Sequence, residues 1–186
     1  MVWEPFFLNH NTPPEGEDLM AHLMNKYGPA AVERYGKSGN PLDVAGLKVG
    51  IHFNPERRII PTLDAHRVCE WVKRSNPEEA DSFMERMFHA YFEAGKDLSK
   101  HDNLLAVVDE CPKIDRAACA TFLAGDELAN ETSVKGRSWS QRGVSGVPFF
   151  VVARKDAPPG EQPTAFSGAQ PPEVIAELLE KLSEKY

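Results

Sequence analysis

Hydrophobic and polar positions along the chain change period several times. Val2, Trp3, Phe6, Phe7 and Leu8 form an aromatic, β-prone opening that stops at Asn9-His10-Asn11-Thr12-Pro13-Pro14, which predicts a strand and a turn. From Glu17 the spacing becomes helical: Leu19, Met20, Leu23, Met24 and Tyr27 recur at three and four until Gly28-Pro29 ends the helix. Asn40-Pro41 restarts a broken helical stretch as cap and first-turn proline. Ile51 and Phe53 then lie in an irregular piece closing at Pro55.

Pro61-Thr62 opens a helix to about Arg74, with Leu63, Ala65, His66, Cys69 and Val72 on its apolar side. Asn76-Pro77-Glu78-Glu79 starts the next, in which Phe83, Met87, Ala90, Tyr91 and Ala94 keep helical spacing until Gly95. Shorter helices are predicted over Leu104–Asp109, Ala117–Leu123 and Leu128–Trp139. The run Val147-Pro148-Phe149-Phe150-Val151-Val152 then reads as a strand buried on both faces. A connector, Ala157-Pro158-Pro159-Gly160, leads to an extended piece at Thr164–Phe166, so a hairpin is expected. Pro171-Pro172-Glu173 opens a last helix with Val174, Ile175, Leu178, Leu179 and Leu182 facing a core and Lys181 and Lys185 facing solvent. Strand, helical block, strand, turn, strand and helix make an α/β layout with an inserted helical subdomain.

Composition narrows the chemistry. Hydrophobic residues are 41% and charged residues 26% of the 186, an ordinary globular balance. Net charge is -7, and no Lys/Arg cluster is long enough to track a phosphate backbone, which argues against nucleic acid. No apolar run approaches a membrane span, and the first residues lack a signal-peptide pattern, so no membrane partner and a reducing, cytoplasmic location are expected. Cys69, Cys111 and Cys119 are odd in number and lack Cys-x-x-Cys spacing, so small apolar packing is the plainer reading of each. The six histidines show no metal-ligand spacing, and no metal is expected.

Several segments together resemble the DsbA-like thioredoxin-fold oxidoreductases, in particular the FrnE branch, with 2-hydroxychromene-2-carboxylate isomerases and kappa-class glutathione transferases as relatives. They are Trp3 to Asn9 with Pro13-Pro14-Glu15-Gly16; Thr62 with Ala65-His66-Arg67; Phe88 with Ala90-Tyr91-Phe92 and Gly95; and Gly143 to Phe150 with Ser167-Gly168-Ala169-Gln170. The resemblance implies a thioredoxin-like core at 1–16 and 140–186, interrupted by a helical insertion at 17–139. It implies a cis-proline loop at Gly146-Val147-Pro148 that binds extended substrate through Val147, against the plainer reading of a trans turn. It also places His66 and Arg67 at a substrate groove, where the plainer alternatives are an interior histidine and a surface ion pair.

Members of that family begin with a strand and a helix bearing Cys-x-x-Cys, or a serine in the glutathione-linked relatives. Met1 stands where the second family strand begins, so the resemblance implies an N-terminally truncated chain with no catalytic residue of its own. Its expected partners are a thiol or disulfide substrate protein or a small thiol, with glutathione as the conceivable co-substrate and no resident cofactor. A second copy of the chain is expected to complete the sheet as a homodimer. A non-catalytic peptide- or partner-binding module and a glutathione-dependent isomerase or transferase are the competing readings.

Overall fold

The computed structural model describes residues 1–37, 39–155, 158 and 160–184. Among them the chain forms two compact units, Met1–Gly136 and Arg137–Tyr186. Of the residues read from the sequence, Ala157 and Pro159 of the connector and Lys185 of the last helix lie outside the described residues.

The first unit is helical. Helices α1 (Leu19–Tyr27), α2 (Pro29–Tyr35) and α3 (Pro41–Leu47) follow a two-residue strand β1 (Glu17–Asp18), which pairs antiparallel with β2 (Arg58–Ile59). Local capping sets these boundaries. Asp18 accepts from the Ala21 N–H at 2.9 Å, and Asn40 Oδ1 accepts from Leu42 and Asp43 at the start of α3. At the end of α1, Gly28 takes φ +79, a left-handed value that favours glycine.

Helices α4 (Leu63–Ser75), α5 (Ala80–Phe88), α6 (His101–Asp109) and α7 (Arg116–Ala124) enclose the core. A 3-10 turn at Pro77–Glu79 leads into α5, and a π turn at His89–Glu93 leads out of it. Val68, Val72, Phe83, Leu104, Val108 and Cys119 are fully buried together, as their helical spacing requires. Helix α8 (Ala129–Gln141) runs from the first unit into the second.

The opening segment does not form the expected strand; Val2–Leu8 pairs with no strand among the described residues. The reason is where its backbone groups go. Lys73 Nζ donates to the Trp3 carbonyl, His66 Nε2 donates to the Phe6 carbonyl at 3.2 Å, and Pro5, which is buried, has no N–H to offer a ladder. Side chains complete the attachment: Trp3 Nε1 donates to Asp81 at 2.8 Å, and the Trp3 ring meets Phe88 edge-on at 5.5 Å. Lys135 Nζ joins Glu4 at 2.7 Å to buried Glu70 at 3.2 Å, while Lys73 holds the other Glu70 oxygen. Gly136 lies so close to Phe7 that an added Cβ would run into its ring, which occupies the space a side chain would need.

The second unit contains the end of α8, a hairpin of β3 (Phe149–Val152) and β4 (Thr164–Ser167), and α9 (Pro172–Glu184). The register pairs Phe149 with Ser167, Phe150 with Phe166, Val151 with Ala165 and Val152 with Thr164. Phe150 and Phe166 stack at 4.8 Å. The hairpin was expected, but β3 is not buried on both faces: Val151 is 45% exposed, in a sheet that has only two strands among the described residues. The apolar stripe of α9 is likewise incomplete, with Ile175, Leu178 and Leu182 half-buried but Val174 and Leu179 nearly half exposed.

Candidate functional site

In the second unit, the turn after α8 closes with the Val144 N–H donating to the Trp139 carbonyl at 3.1 Å, and Val144 is buried. That anchor projects Gly146-Val147-Pro148 ahead of β3. The Val147–Pro148 peptide bond is cis. The Pro148 carbonyl accepts from Gly168, which takes φ +83, at 2.9 Å, and Gln170 Nε2 donates to the Ser167 carbonyl at 2.9 Å. The Ser167–Gln170 turn thus braces the loop from β4. Val147 itself is 52% exposed, and among the described residues no hydrogen bond engages its N–H or its C=O. A solvent-facing residue with both backbone groups free, continuing directly into a strand, can pair with an extended segment from another molecule.

His66 and Arg67 lie in the first unit and turn in different directions. His66 touches the opening segment, its ring edge-on to Phe7 at 5.2 Å. Burial lowers the pKa of the imidazole, outweighing the bond to Phe6. Since a carbonyl only accepts, Nε2 carries the proton. Arg67 is buried and fully engaged: Nη1 pairs with Asp64 at 2.7 Å, Nε donates to the Glu127 carbonyl at 2.9 Å, and Nη2 donates to the Gly125 carbonyl at 2.7 Å. Its guanidinium also lies 5.0 Å from the Phe122 ring centre.

Asp64 was not singled out in the sequence, yet it joins Arg67 to His101, whose Nε2 lies 3.1 Å from the second carboxylate oxygen. Burial pushes the Asp64 carboxyl up, but hydrogen bonds from Arg67 and His101 outweigh it and hold the group below the usual carboxylate range. The only signal in the sequence was the Asp64/Arg67 spacing of three on one helix.

All three cysteines are free thiols. Burial pushes Cys69 up to about 12 and Cys119 up to about 11, and raises Cys111 as well. Cys69 Sγ packs 3.2 Å from Met84 Sδ, and although Lys73 favours the thiolate, burial outweighs it. Among the described residues no group of three His, Cys, Asp or Glu side chains could hold a metal ion, and no helix is long and apolar enough to cross a membrane.

A model of the DSBA-like thioredoxin domain matches residues 1–180. The fold is similar to that of a Streptomyces coelicolor protein assigned as a DsbA oxidoreductase, with a TM-score of 0.80 and 22% identity over 97% of this chain and 74% of that one. It is also similar to a Nitrosomonas europaea protein assigned as a protein disulfide isomerase, with a TM-score of 0.65 and 20% identity over 77% of this chain and 70% of that one. No curated protein matches the sequence.

Proposed function

The chain belongs to the DSBA-like thioredoxin domain family, and from that premise we propose that it carries the substrate-binding side of a thiol–disulfide oxidoreductase lineage, of the FrnE branch, without performing disulfide exchange itself. The thiols carry this reading. Exchange proceeds by thiolate attack, and a thiol held at about 12 is ionised in roughly one molecule in 10⁵ at neutral pH, against about one in 10² for an ordinary cysteine. Binding falls instead to the Val147 backbone, which offers one donor and one acceptor to an extended segment of a thiol- or disulfide-bearing protein. A cytoplasmic location is part of the same proposal, supported by three cysteines that form no disulfide with one another.

Two measurements test the two halves of this reading. Insulin reduction in the presence of dithiothreitol should run at its uncatalysed rate; catalysis that disappears in Cys69→Ala would refute the non-redox half. An unstructured cysteine-containing peptide should slow hydrogen exchange at the Val147 amide. Unchanged exchange at saturating peptide would refute the binding half.

We also propose that a second copy of the chain pairs along the free edge of β3. Residues 143–153 carry no charge, so β3 lacks the lysines and glutamates that commonly keep exposed strand edges apart. Light scattering at micromolar concentration should report a dimer, and a stable monomer would end this proposal.

A further inference from the structure

Buried Arg67 does its work from beneath the turn that follows α7. By binding the carbonyls of Gly125 and Glu127 it fixes the backbone of that turn, and Asp64 neutralises its charge. What the turn presents outward has the opposite sign. Asp126 and Glu127 are exposed, and among the described residues neither carboxylate has an ion-pair or hydrogen-bond partner. Beside them opens a cleft of about 410 Å³ whose wall includes Trp71, Thr121 and Phe122. Trp71 stacks with Phe122 at 5.6 Å and an interplanar angle of 23°, which holds the indole in place.

An ordered indole next to two uncompensated carboxylates is suited to an organic cation. The ring quadrupole attracts positive charge, and carboxylates accept the N–H groups that a cation brings. A guanidinium suits such an open cleft better than an ammonium. It is planar, sheds water more readily, and can stack on an indole while its edge is hydrogen-bonded. Thr121 brings no free donor to compete for the carboxylates, since its hydroxyl already donates to the Ala117 carbonyl at 3.0 Å.

We propose that this cleft binds an arginine side chain presented by a partner protein, with the guanidinium against Trp71 and its N–H groups donating to Asp126 and Glu127. A peptide-borne arginine is favoured over the free amino acid, because free arginine would bring its own α-carboxylate toward the acidic pair. The site lies wholly in the first unit, and it stands whether or not the reading of the Val147 loop holds.

The test uses the full isotope-labelled chain and an acetylated, amidated Gly-Gly-Arg-Gly-Gly peptide. The tryptophan indole N–H signals are followed, with that of Trp71 identified by its loss in Trp71→Phe. The expected result is a saturable shift at Trp71. Replacing the peptide arginine by uncharged citrulline should weaken binding at least about tenfold, as should the double change Asp126→Asn and Glu127→Gln, whose melting temperature should match that of the parent. No shift at Trp71, equal binding of the citrulline peptide, or undiminished binding by the double variant would overturn the site. Free L-arginine binding as tightly as the peptide would overturn its assignment to a partner protein.

Discussion

Replacing Arg67 by alanine is expected to lower stability by about 3–5 kcal/mol, the usual loss when one partner of a buried ion pair is removed. The change strips Asp64 of its 2.7 Å partner and leaves the Gly125 and Glu127 carbonyls without their donors. His101 remains beside Asp64, but at 3.1 Å and from a more exposed position it replaces only part of what is lost. Urea unfolding followed by circular dichroism measures the effect, and a loss under about 1 kcal/mol would mean that the pair is hydrated and behaves as a surface salt bridge. The sign of the pH dependence follows from the carboxyl. Because the folded protein holds Asp64 below its unfolded value, the stabilisation is present above about pH 4 and fades as the pH falls through the lower, folded value. The difference between parent and Arg67→Ala should therefore narrow in acid.

Phe83→Ala should cost a similar amount, about 3–5 kcal/mol, for a different reason. Phe83 is completely buried on α5, among the residues that α4, α6 and α7 direct inward. Removing the ring loses its transfer free energy and leaves a void that close-packed helices fill only in part. Thermal unfolding of Phe83→Ala, alongside the exposed control Val134→Ala, separates this from a general effect of mutation. Near-equal melting temperatures for the two variants would show that the core around α5 can collapse onto the vacated space.

The helices were the part of the fold most readable from the sequence, because their signals are local. Apolar spacing marked α1, α4, α5 and α7, and Asn40-Pro41, Gly28 and Gly95 marked where helices start or stop. The failures all concern what a segment meets elsewhere in the chain. Val2–Leu8 has the composition of a strand, but a strand exists only through a neighbouring strand, and here side chains supply the bonds instead. The pairing of β1 with β2 spans two residues on each side, too short to leave a periodic trace. The apolar runs of β3 and α9 announced a need for cover but not how much cover they would receive.

The candidate site divides along the same line. The cis bond at Val147-Pro148 was expected only through the family resemblance, since Gly146-Val147-Pro148 by itself reads as a trans turn entering a strand. His66 and Arg67 were grouped by adjacency, yet consecutive residues on a helix point about 100° apart. One side chain accordingly meets Phe6 and Phe7, and the other the turn after α7. The turn's acidic pair, Asp126 and Glu127, gave no sign of its indole neighbour, since Trp71 lies far away in the chain.

The way Trp3 and Phe6 are fastened has a further consequence. A ladder cooperates, so breaking one rung weakens the next, whereas Lys73, His66 and Asp81 each grip a different atom through a separate side chain. The opening segment is therefore held at two places, at Trp3 by Lys73 and Asp81 and at Phe6 by His66, and freeing Phe6 leaves Trp3 attached. Release of this segment can proceed in graded steps while the helices beneath it stay folded.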